Sequence, residues 1–244
     1  MRAMILAAGK GTRLRPLTER VPKPLIEVAG RPMIAYPLEL LRRAGIREVV
    51  INLHHLGEQI RRTLADGQAY GLRIIYSEEN PILDTGGAIA AARPYLSDDT
   101  FVVLNADTFV DLDLRRMAEF HTRQGALATM LLRADPDATR RDDIRVDAGQ
   151  RIRRFLGHPH PDVASEDLPR CFYAGVQLFE PRVFAYLPDG AYTITRDIYP
   201  RLLAADEPLY GYLHHDYWRV LDTPGDLAAG RAEIAARLGG AKRS

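Results

Sequence analysis

Short β-branched runs alternate with helical spacings along the first half of the chain. Strands are predicted at Ala3 to Ala7, Val49 to Leu53, Leu72 to Tyr76, Phe101 to Leu104 and Ala128 to Leu132. Between them, apolar residues recur at helical intervals from Met33 to Ala44, Gly57 to Ala65, Gly87 to Tyr95 and Leu114 to Gln124. That order predicts an α/β fold with a doubly wound, mostly parallel, Rossmann-like sheet, whose ligands sit at the carboxyl ends of the strands.

The second half is less regular. Residues 134 to 170 are rich in Asp, Arg, Pro and His, with short strand candidates at Ile144 to Val146 and Ile152 to Phe155, and read as a small β-rich excursion. After it come a strand at Phe172 to Phe179, helices at Arg182 to Tyr186 and Asp197 to Ala205, and strands at Leu209 to Leu213 and Tyr217 to Leu221. A last helix spans Asp226 to Leu238, and the closing AKRS reads as a frayed tail. No linker composition interrupts the pattern. One domain over residues 1 to 240 is expected.

Composition narrows the classes. Of 244 residues 46% are apolar and 27% charged, and the formal charge of +1 gives no reason to expect nucleic acid or an anionic membrane as partner. No apolar run approaches the roughly 20 residues needed to cross a bilayer. The single cysteine, Cys171, excludes an internal disulfide and a cysteine-based zinc site and reads as a buried structural thiol. With no leader-like apolar segment at the start, a cytoplasmic location is expected.

Phosphate chemistry is concentrated near the start. The first strand runs into Gly9-Lys10-Gly11, followed by Thr12, Arg13 and Arg15 and then by Lys23 between Pro22 and Pro24. Glycines permit positive φ and close approach of backbone N–H groups to an anion. Arg13 offers a planar fork of donors, and Lys23 a compact charge on a stiffened segment. The order fits neither a dinucleotide fingerprint nor a P-loop. Asp107, in Asn105-Ala106-Asp107 after the strand Phe101 to Leu104, is an oxygen ligand of the type a hard cation needs beside phosphates. Asp111 and Asp113 read instead as caps of the helix near Leu114.

Taken together, LAAGKGTRLRPLT, PKPL, VAGRPMI, ILDTGGAI, FVVLNADTFVDLD, FYAGVQLF and YWRVLDTPGDL resemble the sugar-1-phosphate nucleotidyltransferases over most of residues 1 to about 230. The resemblance implies attack of a sugar 1-phosphate oxygen on the α-phosphorus of a nucleoside triphosphate, with pyrophosphate leaving in line, Mg2+ as cofactor and no protein nucleophile. It implies nucleotide contacts from Leu6, Ala7, Ala8, Gly9, Gly11, Thr12, Thr85, Gly86 and Asn105, with Glu78 or the adjacent Glu79 accepting from a base N–H. Arg13 is implied for the leaving phosphates and Lys23 for the transferred one, which with Asp107 form the catalytic set. Gly87, Gly175 and His158 are implied on the sugar-phosphate side. Its members suggest GTP or UTP as donor, and the apolar helix faces admit a homodimer without fixing it.

Two places depart from the family pattern. Where relatives carry Glu-Lys-Pro for the sugar, this chain has Leu156-Gly157-His158-Pro159. The pattern Trp-x-Asp-Ile-Gly-Thr-Pro, whose Asp is the second metal ligand, falls on Trp218 to Pro224, which puts Val220 in the metal position and leaves Asp222 two residues further on. On a continuous strand those two residues are about 6 to 7 Å apart, so Asp222 serves as a metal ligand only if the strand end turns. The loss at Val220 keeps open a weakened relative that binds nucleotide-sugar to regulate a partner, and the loop also suits a cytidylyltransferase acting on a non-sugar phosphoalcohol.

Overall fold

The computed structural model describes residues 1–135, 137 and 143–240; the closing AKRS lies outside the described residues. The first half holds β1 (Arg2–Leu6), β2 (Glu27–Val28), β3 (Arg31–Pro32), α1 (Ala35–Arg43), β4 (Glu48–Leu53), α2 (Gly57–Leu64) and β5 (Arg73–Glu78). It continues with α3 (Asp84–Ala91), α4 (Arg93–Leu96), β6 (Phe101–Asn105), β7 (Thr108–Val110), α5 (Leu114–Arg123) and β8 (Ala128–Ala134). The second half adds β9 (Ile144–Val146), β10 (Ile152–Phe155), β11 (His158–Pro159), β12 (Arg170–Phe179), α6 (Tyr199–Ala204), β13 (Leu209–Leu213), β14 (Trp218–Val220) and α7 (Pro224–Gly240).

Ten strands form one sheet in the order β11-β10-β9-β12-β6-β1-β4-β5, with β8 beside β12 and β13 beside β8. The segment β6-β1-β4-β5 is parallel throughout. Alternation along these strands sends side chains to opposite faces. Ala3, Ile5, Val49, Ile51, Val102 and Leu104 pack with α1, α2 and α5 through Leu38, Leu41, Ile60, Leu64 and Met117. Met4, Val50, Phe101 and Val103 pack on the other face against α3, α4 and α6 through Ile89, Leu96, Tyr199 and Leu202. Two buried layers on one sheet make the doubly wound fold that the periodicity predicts. No helix among the described residues is long and apolar enough to cross a membrane.

The excursion after β8 is antiparallel, β12 pairing with β6, β8 and β9, and β9 with β10. Its pairing to β8 shifts register between Tyr173 and Gln177, around Gly175 at φ 85°. A Cβ at Gly175 would lie 2.4 Å from Thr108 Oγ1. Glycine is needed there for the bulge and for close packing on β7.

Three small elements escaped the periodicity because each is two or three residues long: the β2–β3 hairpin, β7 and β11. The hairpin turns through Ala29 (φ 49°) and Gly30 (φ 78°), the two left-handed residues of a tight antiparallel turn. A third apolar cluster joins the segment around Leu14, Ile26, Val28 and Met33 to Leu221, Leu227 and Ile234, so α7 holds the amino-terminal loop against β14.

Candidate active site

In the sheet, β1 leads outward to β4 and β5, and the chain then returns to place β6 on the other side of β1. Strand order therefore reverses beside β1, where an α/β sheet opens a crevice at the carboxyl ends of its strands. A cavity of about 330 Å3 lies there. It is lined by Leu6 to Gly9 and Gly11 to Arg13 after β1, Asn52 at the end of β4, Glu79 just past β5, and Asn105 to Asp107 at the end of β6. Lys23, Thr85 and Asp222 complete the residues of interest on its wall.

The loop after β1 is shaped by Gly11, which has φ 60° and caps a short turn of 3-10 helix at Thr12–Leu14. A Cβ on Gly11 would come within 2.8 Å of the Thr18 methyl, and the Thr18 hydroxyl donates to the Gly11 carbonyl at 2.8 Å. Gly9 has no such constraint: its φ is not positive, and a Cβ there would meet nothing within 4 Å. The expectation of left-handed backbone at both glycines therefore holds for Gly11 alone. Absence of a side chain at Gly9 instead leaves room above the loop.

Charge converges on one point of the wall. Lys23 Nζ donates to Asp107 Oδ2 and, at 2.8 Å, to Asp222 Oδ1. Arg13 pairs with the second oxygen of Asp222. The remaining Asp107 oxygen, Oδ1, is buried with no hydrogen-bond partner among the described residues. Lys23 and Asp222 are 12% and 19% exposed, so this cluster sits where water screens it only partly. Two cations against two carboxylates leave the cluster neutral, and exchange of those partners costs less than stripping either charge bare.

Asp222 reaches the cluster because β14 stops at Val220. Val220 is the last residue paired to β7, opposite Thr108, and the Leu221 N–H then donates to the Asp107 carbonyl at 3.1 Å. That bond extends the β7–β14 ladder by one residue, and the chain then bends at Thr223 before α7. Thr223 and Asp226 brace the turn, the Asp226 carboxylate accepting from the Thr223 N–H and hydroxyl at 3.1 and 2.7 Å. Two residues beyond the end of β14, Asp222 is thereby brought to Lys23 and Arg13.

Several expected residues lie elsewhere. Glu78 points out to an ion pair with Arg61, and it is Glu79, 5% exposed, that reaches the cavity. The alternation of β5 places neighbouring side chains on opposite sides, and nothing in the sequence says which of two adjacent glutamates faces in. Gly86 and Gly87 are buried within α3 rather than on the cavity wall. Added Cβ atoms would lie 2.3 Å from the Tyr192 ring and 2.0 Å from the Gly190 carbonyl. Those glycines admit the segment at 190–194, whose Ile194 N–H donates to Thr85 Oγ1 at 3.0 Å. Gly175 serves its bulge, and His158 is exposed on the edge strand β11, so neither lines the cavity. Asp113 caps α5, accepting from the N–H groups of Arg115 and Arg116, but Asp111 does not share that role.

Cys171 is 1% exposed, and burial together with the nearby Asp135 charge pushes its thiol up to about 11. It is a packing residue. Asn52, a cavity residue that sequence reasoning missed, is a buried polar side chain within the apolar run Val49 to Leu53, and that break in the pattern was its signal.

A family model described as "Nucleotidyl transferase" matches residues 2–236. A UTP–glucose-1-phosphate uridylyltransferase of Synechocystis is 37% identical over 86% of this chain and 57% of its own length. A mannose-1-phosphate guanylyltransferase of Mycobacterium tuberculosis is 35% identical over 95% of this chain and 64% of its own. The chain thus spans less than two thirds of these curated relatives. Among solved structures, HddC from Yersinia pseudotuberculosis superposes with a TM-score of 0.79 at 20% identity, over 96% of this chain and 99% of that one, which is a likeness of fold.

Proposed function

The chain belongs to the nucleotidyl transferase family, and from that premise we propose that it transfers a nucleotidyl group from GTP or UTP to a sugar 1-phosphate, giving a nucleotide-sugar and pyrophosphate. The observation that carries this reading is the bridge of Lys23 between Asp107 and Asp222 at the mouth of the Gly11 loop. With Arg13 paired to Asp222, it gathers two cations and two carboxylates beside the loop, charges suited to a triphosphate and its counter-ion.

Such a reaction requires no covalent help from the protein. Positioning of two polyanions and neutralisation of the charge that develops on the leaving oxygens suffice. Arg13 and Lys23, which neutralise the carboxylates here, are placed to turn onto phosphate oxygens. Arg13, whose side chain is 69% exposed, serves the leaving pyrophosphate. Lys23, fixed between Pro22 and Pro24, serves the transferred phosphate.

The donor set also fits a hard divalent cation. Asp107 offers a buried oxygen with no partner among the described residues, and Asp222 faces it across Lys23. We assign Mg2+ to these two residues; when bound, it supplies Lewis-acid neutralisation of the phosphates. Asp222 takes the place that Val220 leaves empty in the family pattern.

The test is pyrophosphate release by the purified protein with Mg2+, crossing GTP, UTP, dTTP, CTP and ATP with glucose, mannose, N-acetylglucosamine, N-acetylmuramic acid and heptose 1-phosphates, and with choline phosphate. Release with GTP or UTP and one sugar 1-phosphate is the expected result. Release with CTP and choline phosphate alone would move the substrate class to phosphoalcohols. Silence with retained nucleotide-sugar binding would overturn catalysis in favour of a sensor.

A further inference from the structure

Asn52 and Glu79 are 4% and 5% exposed and lie on the cavity wall, at the ends of neighbouring strands. The Ala7 N–H donates to Asn52 Oδ1 at 2.7 Å, and Asn52 Nδ2 donates to Glu79 Oε1 at 2.6 Å. The second Glu79 oxygen accepts from the Leu83 N–H at 2.8 Å. An unbroken chain of three hydrogen bonds thus joins the loop after β1 to the loop before α3. The donors settle the amide orientation: a peptide N–H needs the carboxamide oxygen, and a carboxylate needs the nitrogen.

Neighbouring groups steady the same corner. The Glu79 N–H donates to the Leu53 carbonyl at 2.9 Å, and the His54 ring lies 3.0 Å by Nδ1 from the Glu79 carbonyl, which can only accept. His55 Nε2 likewise donates to the Thr18 carbonyl at 2.8 Å, and Thr18 in turn holds Gly11. Four successive residues, 52 to 55, at the end of β4 therefore grip both loops that border the cavity.

A glutamate this deeply buried, with neutral donors on both oxygens and no ion pair among the described residues, is costly to keep unless its geometry is used. We propose that Asn52 and Glu79 are positioning residues for the nucleotide: a polarised strut that sets the phosphate loop and the loop at Leu83 at the separation a bound nucleoside triphosphate spans. This rests on the nucleotidyl-transfer reading. Both Glu79 oxygens are committed to protein donors, so the carboxylate acts through the loops it joins.

The polarity of the strut supplies its test. In Glu79→Gln, the one remaining carbonyl oxygen can accept from Asn52 or from Leu83 but not from both. In Asn52→Asp, two carboxylates face each other. In the double variant, the new amide at position 79 donates to the new carboxylate at position 52, while its oxygen accepts from the Leu83 N–H. The carboxylate at position 52 still accepts from the Ala7 N–H, so all three bonds return with the net charge unchanged.

The experiment measures KM for the nucleotide and kcat by pyrophosphate release for wild type, both single variants and the double, with melting temperatures alongside. Each single change is expected to raise the nucleotide KM about tenfold or more with a smaller change in kcat, and the double to return to within about threefold of wild type. Single variants with unaltered KM would overturn the proposal. So would a double variant as impaired as the worse single, which would mean that the Glu79 carboxylate contacts the nucleotide directly. If a single variant does not fold, the double decides alone, and a double that does not fold counts against the strut. A wild-type protein that is silent and binds no nucleotide overturns the functional reading and the strut with it, whereas an active wild type with a failed cycle overturns the strut only.

Discussion

Replacement of Asp222 tests the reading where it departs most from the family pattern. Its carboxylate lies 2.8 Å from Lys23 Nζ, a separation at which unit charges attract by roughly 6 kcal/mol at an effective dielectric of 20. Desolvation of two groups that are 12% and 19% exposed takes back much of this, so a net of about 1 to 3 kcal/mol in the resting cluster is the reasonable scale. In the transition state the same carboxylate is asked to hold a divalent cation. Loss of one of two ligands at about 3 kcal/mol corresponds to about a hundredfold in kcat. Asp222→Asn keeps the shape and removes the charge, and Asp222→Ala removes both. Steady-state pyrophosphate release across a Mg2+ titration should show kcat reduced at least tenfold in each variant and half-saturation moved to higher Mg2+. Wild-type turnover with unaltered Mg2+ dependence would refute the assignment and leave Asp107 as the sole protein ligand.

Other consequences are open to simpler assays. Asp107→Ala should abolish turnover, and Lys23→Ala should lower kcat more than it raises KM, because an interaction made to the transferring phosphate is strongest in the transition state; steady-state kinetics against nucleotide titration separates the two. Burial lowers the His121 pKa from 6.5 despite its hydrogen bond to Glu180, so the unfolded chain binds the proton first as pH falls. Stability is therefore full above about pH 7 and declines below 6.5; thermal melts should show this, and a His121→Gln variant should show a weaker slope there. Gly87→Ala would place a methyl 2.0 Å from the Gly190 carbonyl and should cost about 1 to 3 kcal/mol or more of stability, measurable by denaturant unfolding. Cys171, with its thiol near 11 and 1% exposure, should resist alkylation at pH 8 in the folded protein and react once denatured.

Much of the scaffold is visible in the residues themselves because local and tertiary demands agree there. Phe101 to Leu104 is apolar on both faces, and Val49 to Leu53 is so except at Asn52, as strands covered by helices must be. The same logic misplaced the start of α3. Asp84 opens that helix at φ 55°, a left-handed residue that no spacing rule anticipates, and the helix therefore begins ahead of the two glycines rather than at them. On the proposed phosphate side, Gly11, Arg13, Lys23 and Asp107 were legible as candidates because they stand out against the apolar strands, and the fold brings them to one cavity. The far side was not. Glu79 could not be told from Glu78, the glycines at 86, 87 and 175 are explained by what packs on them, and Asn52 matters through partners distant in sequence. Asp222 shows both limits: it was readable as a candidate, but its contact with Lys23 depends on how the chain bends after β14.

The bridge on Lys23 also has a history within each molecule. Its two carboxylates belong to residues 84 and 199 positions further along the chain, so during synthesis the lysine leaves the ribosome long before its second partner exists. Until β14 anneals to β7 and α7 closes over the amino-terminal loop, the emerging protein carries a lone ammonium beside a single aspartate. The bridge is in this sense completed only once β14 and α7, far along the described chain, have been made.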